Sequence, residues 1–308
     1  MDTLSDEIKI FNPEIKGLDH LRIYRSDRLV AGWDRVTPVS LNQKSITKTI
    51  IALATLMLVE KSDLNLSDHM DQLLKRTDLC DRQTAALWTD VSLYNCLTMS
   101  AGQESFQLME NYRRHNPQAD WLDHALRLPF IDPPGKTVNY TNSYPYIVGL
   151  ICERIIQQRA YAENLPDFLN KYLFTPLNIA SPEYLTDPQG RLFGSSGIML
   201  TTDDIGKIGL LLAAGGHWGQ QTVLSPASVD LMVTPQLPAP AAENPTRTYG
   251  LFTWCYNNSD FCLAGIYGQL VYYIAEADVL FACNGHLKDD RHLPKLLRTK
   301  VLDYLKEF

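Results

Sequence analysis

The run from Ile46 to Val59 constrains this chain more than any other segment. It reads Ile46, Ile50, Ile51, Ala52, Leu53, Ala54, Leu56, Met57, Leu58 and Val59, apolar on nearly every side, so the helix it forms belongs in the interior with the rest of the fold built around it. It falls short of the roughly 20 apolar residues that cross a membrane, and no other stretch reaches that length. With 308 residues, 45% of them hydrophobic, the chain can cover such a helix, as one domain or as two interdependent lobes. Ser45 opens this helix and Lys48 follows one turn on. A lysine in a dry site has its charged form disfavoured and can take the proton of a nearby hydroxyl. A serine at a helix start sits by the free N–H groups of the first turn, where the dipole favours the negative charge of acyl transfer. A plainer reading stands beside this one. Roughly one S-x-x-K is expected by chance at this length, Ser45 can serve as an N-cap, and Lys48 can snorkel its head into water.

A second cluster, Tyr140-Thr141-Asn142, follows the loop marked by Pro133-Pro134-Gly135 and precedes the apolar helix containing Tyr144, Tyr146, Ile147, Val148, Leu150, Ile151 and Ile155. A phenol at such a junction can share a proton with Lys48, and the Asn amide can orient either that network or a substrate carbonyl. Tyr256-Asn257-Asn258 has the same spacing but runs into a turn, and reads as a hairpin tip. Strands are predicted near Ile8–Phe11, Leu21–Tyr24, Leu29–Trp33, Tyr249–Tyr256, Asp260–Leu263, Leu270–Ile274 and Val279–Cys283, with a helix from about Asp290 to Lys306. Helices and loops fill the middle. This order predicts an α/β (α+β) fold in which both termini build one antiparallel sheet with flanking helices beside a mostly helical lobe. The expected division is 1–60 with 190–308 for the sheet lobe and 61–189 for the helical one, with the site between them. The Pro/Ala-rich stretch from Thr234 to Pro245 is expected to be a surface loop, either idle or bordering the site.

Several function classes are disfavoured. A net charge of −7 and the lack of a concentrated basic patch argue against nucleic acid. The densest basic run, Arg113-Arg114-His115, reads as a solvated helix face. The acidic opening Met1-Asp2-Thr3-Leu4-Ser5-Asp6-Glu7 has no apolar core of a signal peptide, which makes a cytoplasmic location the expectation, with no membrane partner. Six scattered cysteines read as free thiols, although Cys255 and Cys262 flank a turn and can face each other across a hairpin. The histidines and cysteines show no metal-binding spacing, so no metal and no cofactor are expected. Gly194-Ser195-Ser196-Gly197 lacks the spacing of a nucleophile elbow, and no P-loop or dinucleotide fingerprint is present.

Taken together, these segments resemble the serine β-lactamase and penicillin-binding-protein superfamily, in particular its class C-like esterase and peptidase branch. Ser45-Ile46-Thr47-Lys48 and Tyr140-Thr141-Asn142 are similar to its first two motifs. Leu97-Thr98-Met99-Ser100-Ala101-Gly102 resembles its Leu-Leu-Thr-His-Thr-Ser-Gly segment, with Met99 where a His is common. The stretch from Leu128-Pro129 to Pro134-Gly135 is similar to the family's approach to Tyr-x-Asn. Ser195 to Asp204 resembles its Gly-Gly-Leu-x-Ser-Thr-x-x-Asp stretch, and Val223 to Ser228 with Met232 its next helix. The resemblance covers roughly Leu29 to Gly285 in the family's order. The third motif departs from the pattern: where the family places Lys-Thr-Gly or His-x-Gly, this chain has Leu263-Ala264-Gly265, and Ala264 to Gln269 is similar to the Gly-x-x-Gly-Gln version of esterase-like and amide-hydrolase members, nylon-oligomer hydrolases among them.

The resemblance implies a β-lactamase/transpeptidase-like fold and a metal-free serine hydrolase that works through an acyl-enzyme. Ser45 would be the nucleophile, Lys48 and Tyr140 the proton-transfer pair, and Asn142 the residue positioning network or substrate. At Gly265, the N–H of Ile266 would join that of Ser45 in an oxyanion hole. Without a cation in the third motif, the expected substrate is a neutral small-molecule or peptide-like ester or amide, with Tyr144, Trp254 or Tyr267 supplying apolar surface or merely packing in the core. Two alternatives remain: a protein of this fold that serves as a silent binding or assembly module, and a β-lactamase or D-alanyl peptidase.

Overall fold

The computed structural model describes residues 16–238 and 247–306. Strands β1 (Leu18–Arg25), β2 (Arg28–Asp34) and β3 (Leu41–Asn42) lead into the apolar helix α1 (Ile46–Glu60). A helical stretch follows, with α2 (Met70–Arg76), α3 (Arg82–Ala86), α4 (Leu93–Leu97), α5 (Glu110–His115), α6 (Trp121–Arg127), α7 (Ser143–Gln158) and α8 (Leu165–Leu169). Next come β4 (Met199–Leu200), α9 (Thr202–Ala213), the hairpin of β5 (His217–Trp218) and β6 (Gln221–Thr222), and α10 (Pro226–Val233). The remaining elements are β7 (Leu237–Pro238), β8 (Arg247–Tyr249), β9 (Trp254–Tyr256), β10 (Phe261–Gly265), β11 (Gln269–Ile274), β12 (Val279–Gly285) and α11 (Leu293–Leu305).

Eight strands form one antiparallel sheet in the order β2-β1-β12-β11-β10-β9-β8-β7, so the early strands lie directly beside a late one. Alternation along β12 divides its side chains between two cores. Val279, Phe281 and Cys283 face α11, where they meet Leu293, Leu297 and Val301. Leu280 and Ala282 face the other way, into the larger core that holds α1, α7 and α9. Arg22 of β1 fastens α9 to this second face, donating to Asp203 and to Asp34 through two nitrogens each. Every residue of α1 from Ile46 to Leu58 is buried, as its all-round apolar sequence requires.

The segment Leu97 to Gly102 serves as a backbone cradle for the loop that leads to Tyr140. The carbonyls of Met99, Ser100 and Gly102 accept from Asn139 (2.7 Å), Gly135 (2.8 Å) and Ile131 (2.8 Å). Met99 itself is fully buried, with a left-handed φ of 58°. Position 99, where the resemblance places a histidine, is therefore a packing position here.

Some expectations need correction. The expected strand at 249–256 is a hairpin of β8 and β9, because Gly250 packs so tightly that a Cβ would lie 2.0 Å from the Met232 carbonyl, turning the chain there. Cys255 pairs with Phe261 and Cys262 with Trp254, so the two thiols lie out of register and point to opposite faces; all six cysteines are free. The predicted strand at Ile8–Phe11 and most of the Pro/Ala-rich stretch lie outside the described residues. Among the described residues no helix is long and apolar enough to cross a membrane.

Gly102 offers a direct test of the cradle. Its φ is 102° and a Cβ would lie 2.1 Å from the carbonyl oxygen of Asp132. Gly102→Ala should therefore lower stability by about 2–4 kcal/mol, read as a lower urea midpoint at unchanged slope; a midpoint within error of the wild type would refute the role.

Candidate active site

Helix α1 begins in a way that leaves the Ser45 hydroxyl free. The N–H groups of Ile46, Thr47 and Lys48 donate to the carbonyls of Gln43, Lys44 and Ser45 at 3.1 Å each. This tight i→i−3 turn satisfies donors that a capping side chain would otherwise serve. Ser45 occupies the N-cap position but makes no capping bond with its side chain. Its Oγ instead lies 2.9 Å from Lys48 Nζ. Lys44 sets up the turn with a left-handed φ of 49°, its N–H donating to Asn42 Oδ1, which also holds Gly197 N–H at 3.0 Å.

Lys48 does not snorkel; it is 1% exposed. Besides Ser45, its Nζ donates to Asn142 Oδ1 at 2.7 Å and to the Ser195 carbonyl at 3.0 Å. Burial, assisted by the charge of Arg113, holds its pKa well below the ordinary lysine value. A neutral amine has two N–H bonds and one lone pair. With the two hydrogens taken by Asn142 and Ser195, the lone pair is left for the Ser45 hydroxyl, the arrangement a general base requires. Asn142 is fully committed to this task, because its Nδ2 donates to the Leu108 carbonyl at 3.1 Å, fixing which end of the amide meets Lys48. The Asn142 side chain thus turns its oxygen to the lysine and its nitrogen to the backbone.

Tyr140 lies over this group, with Lys48 Nζ 5.1 Å from its ring centroid. The ring stacks on Trp254 at 5.6 Å and meets Tyr249 edge-on at 6.4 Å. On the opposite side, the end of β10 presses against the turn that carries Ser45. A Cβ on Gly265 would lie 2.6 Å from the Gln43 carbonyl, so a glycine is needed for the strand to come this close. Among the described residues the N–H groups of Ser45 and Ile266 donate to no backbone carbonyl, leaving both available to an oxyanion.

These residues open onto a cavity of about 1120 Å³, whose wall includes Ser45, Tyr140, Asn142, Trp254, Gly265 and Ile266. Two aromatic candidates fall outside it. Tyr144 is fully buried, its hydroxyl accepting from Gln103 N–H at 2.8 Å. Tyr267 stands on the turn after β10, 41% exposed, with Lys44 Nζ 5.2 Å from its ring centroid, and is not part of the wall. Arg113, read from the sequence as part of a solvated face, turns inward to line the cavity. Ser195 escaped notice for a different reason: it acts through its carbonyl, which no side-chain pattern betrays. Among the described residues no group of three His, Cys, Asp or Glu side chains is gathered to hold a metal ion.

Comparison with known proteins agrees with this architecture. The family model described as Beta-lactamase matches residues 44–294. No curated protein matches. Among solved structures, a protein assigned as a 6-aminohexanoate-dimer hydrolase from Bacillus anthracis superposes with a TM-score of 0.75 at 15% identity, covering 98% of this chain and 82% of that one. The octameric penicillin-binding protein homologue from Pyrococcus abyssi gives 0.76 at 17% identity, with 98% and 78% covered. A hydrolase with promiscuous acyltransferase activity gives 0.69 at 17%, with 94% and 93% covered. At these identities the likeness is one of fold.

The state of Lys48 can be tested by pH. Protonated, the amine has no lone pair for Ser45, so acylation of Ser45 by a neutral aryl ester should be lost as pH falls through the Lys48 pKa and should level off above it. The midpoint is expected well below the ordinary lysine value of about 10.4; a midpoint at that ordinary value would overturn the assignment.

Proposed function

The chain belongs to the Beta-lactamase family, and on that premise we propose that it is a serine hydrolase cleaving an ester or amide through an acyl-enzyme on Ser45. The observation that carries this reading is the buried Lys48 amine, 2.9 Å from Ser45 Oγ with its two other contacts taken by Asn142 and Ser195. In the first step the Ser45 proton passes to Lys48 Nζ as Oγ bonds to the substrate carbonyl carbon. The carbonyl oxygen gains negative charge and is received by the N–H groups of Ser45 and Ile266. Collapse of this intermediate breaks the bond to the leaving group, which takes its proton from Lys48 by way of Tyr140. Water then attacks the acyl-enzyme, giving up a proton to the same pair, and Ser45 is released with the carboxylic acid. The burial of Met99 in the core also supports an active enzyme, because its departure from the family pattern does not reach the cavity.

A fluorophosphonate probe should label Ser45 and no other serine, located by mass spectrometry of the digested protein. Ser45→Ala should lose both the label and all turnover while keeping its unfolding midpoint. Labelling elsewhere, or turnover surviving in Ser45→Ala, rejects the nucleophile.

Lys48 and Tyr140 are expected to work as one unit. Lys48→Ala and Tyr140→Phe should each lower kcat by roughly 10²–10⁴-fold, and the double variant should lose little more than the worse single one. Losses that multiply would show two independent roles.

A further inference from the structure

Among the described residues Arg113 is a cation in the wall of the Ser45 cavity that no carboxylate contacts, the charge of Glu110 acting on it only from a distance. Its guanidinium carbon lies 4.2 Å from the centroid of the Phe193 ring and 5.7 Å from that of Trp121, which pin it in place. Among the described residues its one polar contact is a long one, Nη1 to Ser196 Oγ at 3.4 Å. The Nε is buried and has no hydrogen-bond partner. Neighbouring charges are matched: Glu110 pairs with Arg114, and Asp187 with Arg191 at 2.5 Å. Arg22, a buried arginine of β1, is held by two carboxylates. Among the described residues no carboxylate lies within ion-pair distance of Arg113. A partly buried guanidinium stays charged and gains from an anionic partner, so that partner is expected from whatever fills the cavity.

We propose that the substrate carries a carboxylate in addition to its scissile ester or amide, and that Arg113 receives it. This rests on the reading of Ser45 as the nucleophile. A carboxylate suits the planar fork of a guanidinium, which binds it through two parallel N–H bonds. A phosphate dianion fits less well, since Glu110, Asp187 and Asp290 also line the cavity. The wall also includes the apolar side chains of Phe106, Leu185 and Trp254, which suits a substrate with a hydrocarbon portion. The substrate class is thus the monoester or monoamide of a dicarboxylic acid, or a peptide-like equivalent. The sequence-based expectation of a neutral substrate is revised: β10 has no cation, but α5 supplies one.

The test compares 4-nitrophenyl monoesters of succinic, glutaric and adipic acid with the 4-nitrophenyl esters of butanoic, pentanoic and hexanoic acid, matched pair by pair. Both members of a pair use Ser45 and Lys48, so any effect of Arg113 on the lysine cancels in their kcat/KM ratio. In the wild type the ratio should favour the charged ester for at least one spacer length. Arg113→Met should lower that ratio about 10–100-fold, the range of a hydrogen-bonded charge pair, and Arg113→Lys should restore part of it. Fluorophosphonate labelling of Ser45 in Arg113→Met shows that the site is still assembled. A ratio unchanged by Arg113→Met at every length overturns the proposal. Calorimetric titration of Ser45→Ala with the monomethyl esters of the same three acids reads the anion site without chemistry. If the aryl esters are not turned over, the nucleophile reading fails alone, and the titration decides the proposal: at least tenfold weaker binding on adding Arg113→Met upholds it, and equal binding overturns it.

Discussion

A primary amine sealed in a protein interior, with no carboxylate partner among the described residues, is the constraint on which the rest of this structure depends. The contacts of Lys48 are a hydroxyl, an amide oxygen and a backbone carbonyl. None carries a full negative charge, so nothing among them offsets the burial that holds the lysine pKa well below its ordinary value. Each contact comes from a different part of the chain. Ser45 is set by the tight turn that opens α1, Asn142 by the loop that rests on Met99 and Gly102, and Ser195 by a segment whose hydroxyl donates to the Asn142 carbonyl. Much of the middle of the chain acts as a clamp that keeps these acceptors in place around one nitrogen.

A good part of this was legible in the sequence, and physical reasons separate what was from what was not. The all-round apolarity of α1 signalled burial directly, and burial of Lys48 followed because it rides on that helix. The placement of strands toward both termini likewise implied a shared sheet. Ser195 was invisible because a carbonyl carries no residue identity. Arg113 was misread because three consecutive basic residues on a helix look solvated as a group, while successive positions point about 100° apart and one of them can turn inward. Tyr144 illustrates the converse: it lies two residues from Asn142, yet the helical turn carries its ring into the core, where its hydroxyl is taken by Gln103.

The electrostatics of the cavity run against the character of the whole molecule. The chain carries a net charge of −7, yet the wall of the cavity brings together Lys44, Arg113, Arg114 and Arg291 with Glu110, Asp187 and Asp290. A concave site with low-dielectric walls concentrates the field of such charges, so the local potential is set by a few residues and not by the overall balance. Arg113 affects the lysine as well as the cavity, since its charge helps to lower the Lys48 pKa.

The sheet order has a consequence for how such a molecule is made. Strand β1 pairs with β12, register running from Leu18 opposite Gly285 to Arg25 opposite Val279. Almost the whole chain lies between these partners. Ser45 and Lys48 are near the start, while Ile266 and the Gly265 backbone that press on their turn come late. During synthesis from the N-terminus, Ser45 and Lys48 emerge long before the strand that closes against their turn. Pairings this distant in sequence are slow to form because loop closure precedes any gain from contact. A nascent or C-terminally shortened chain therefore holds an unfinished pocket, and the cavity is complete only when the last strands have joined the first.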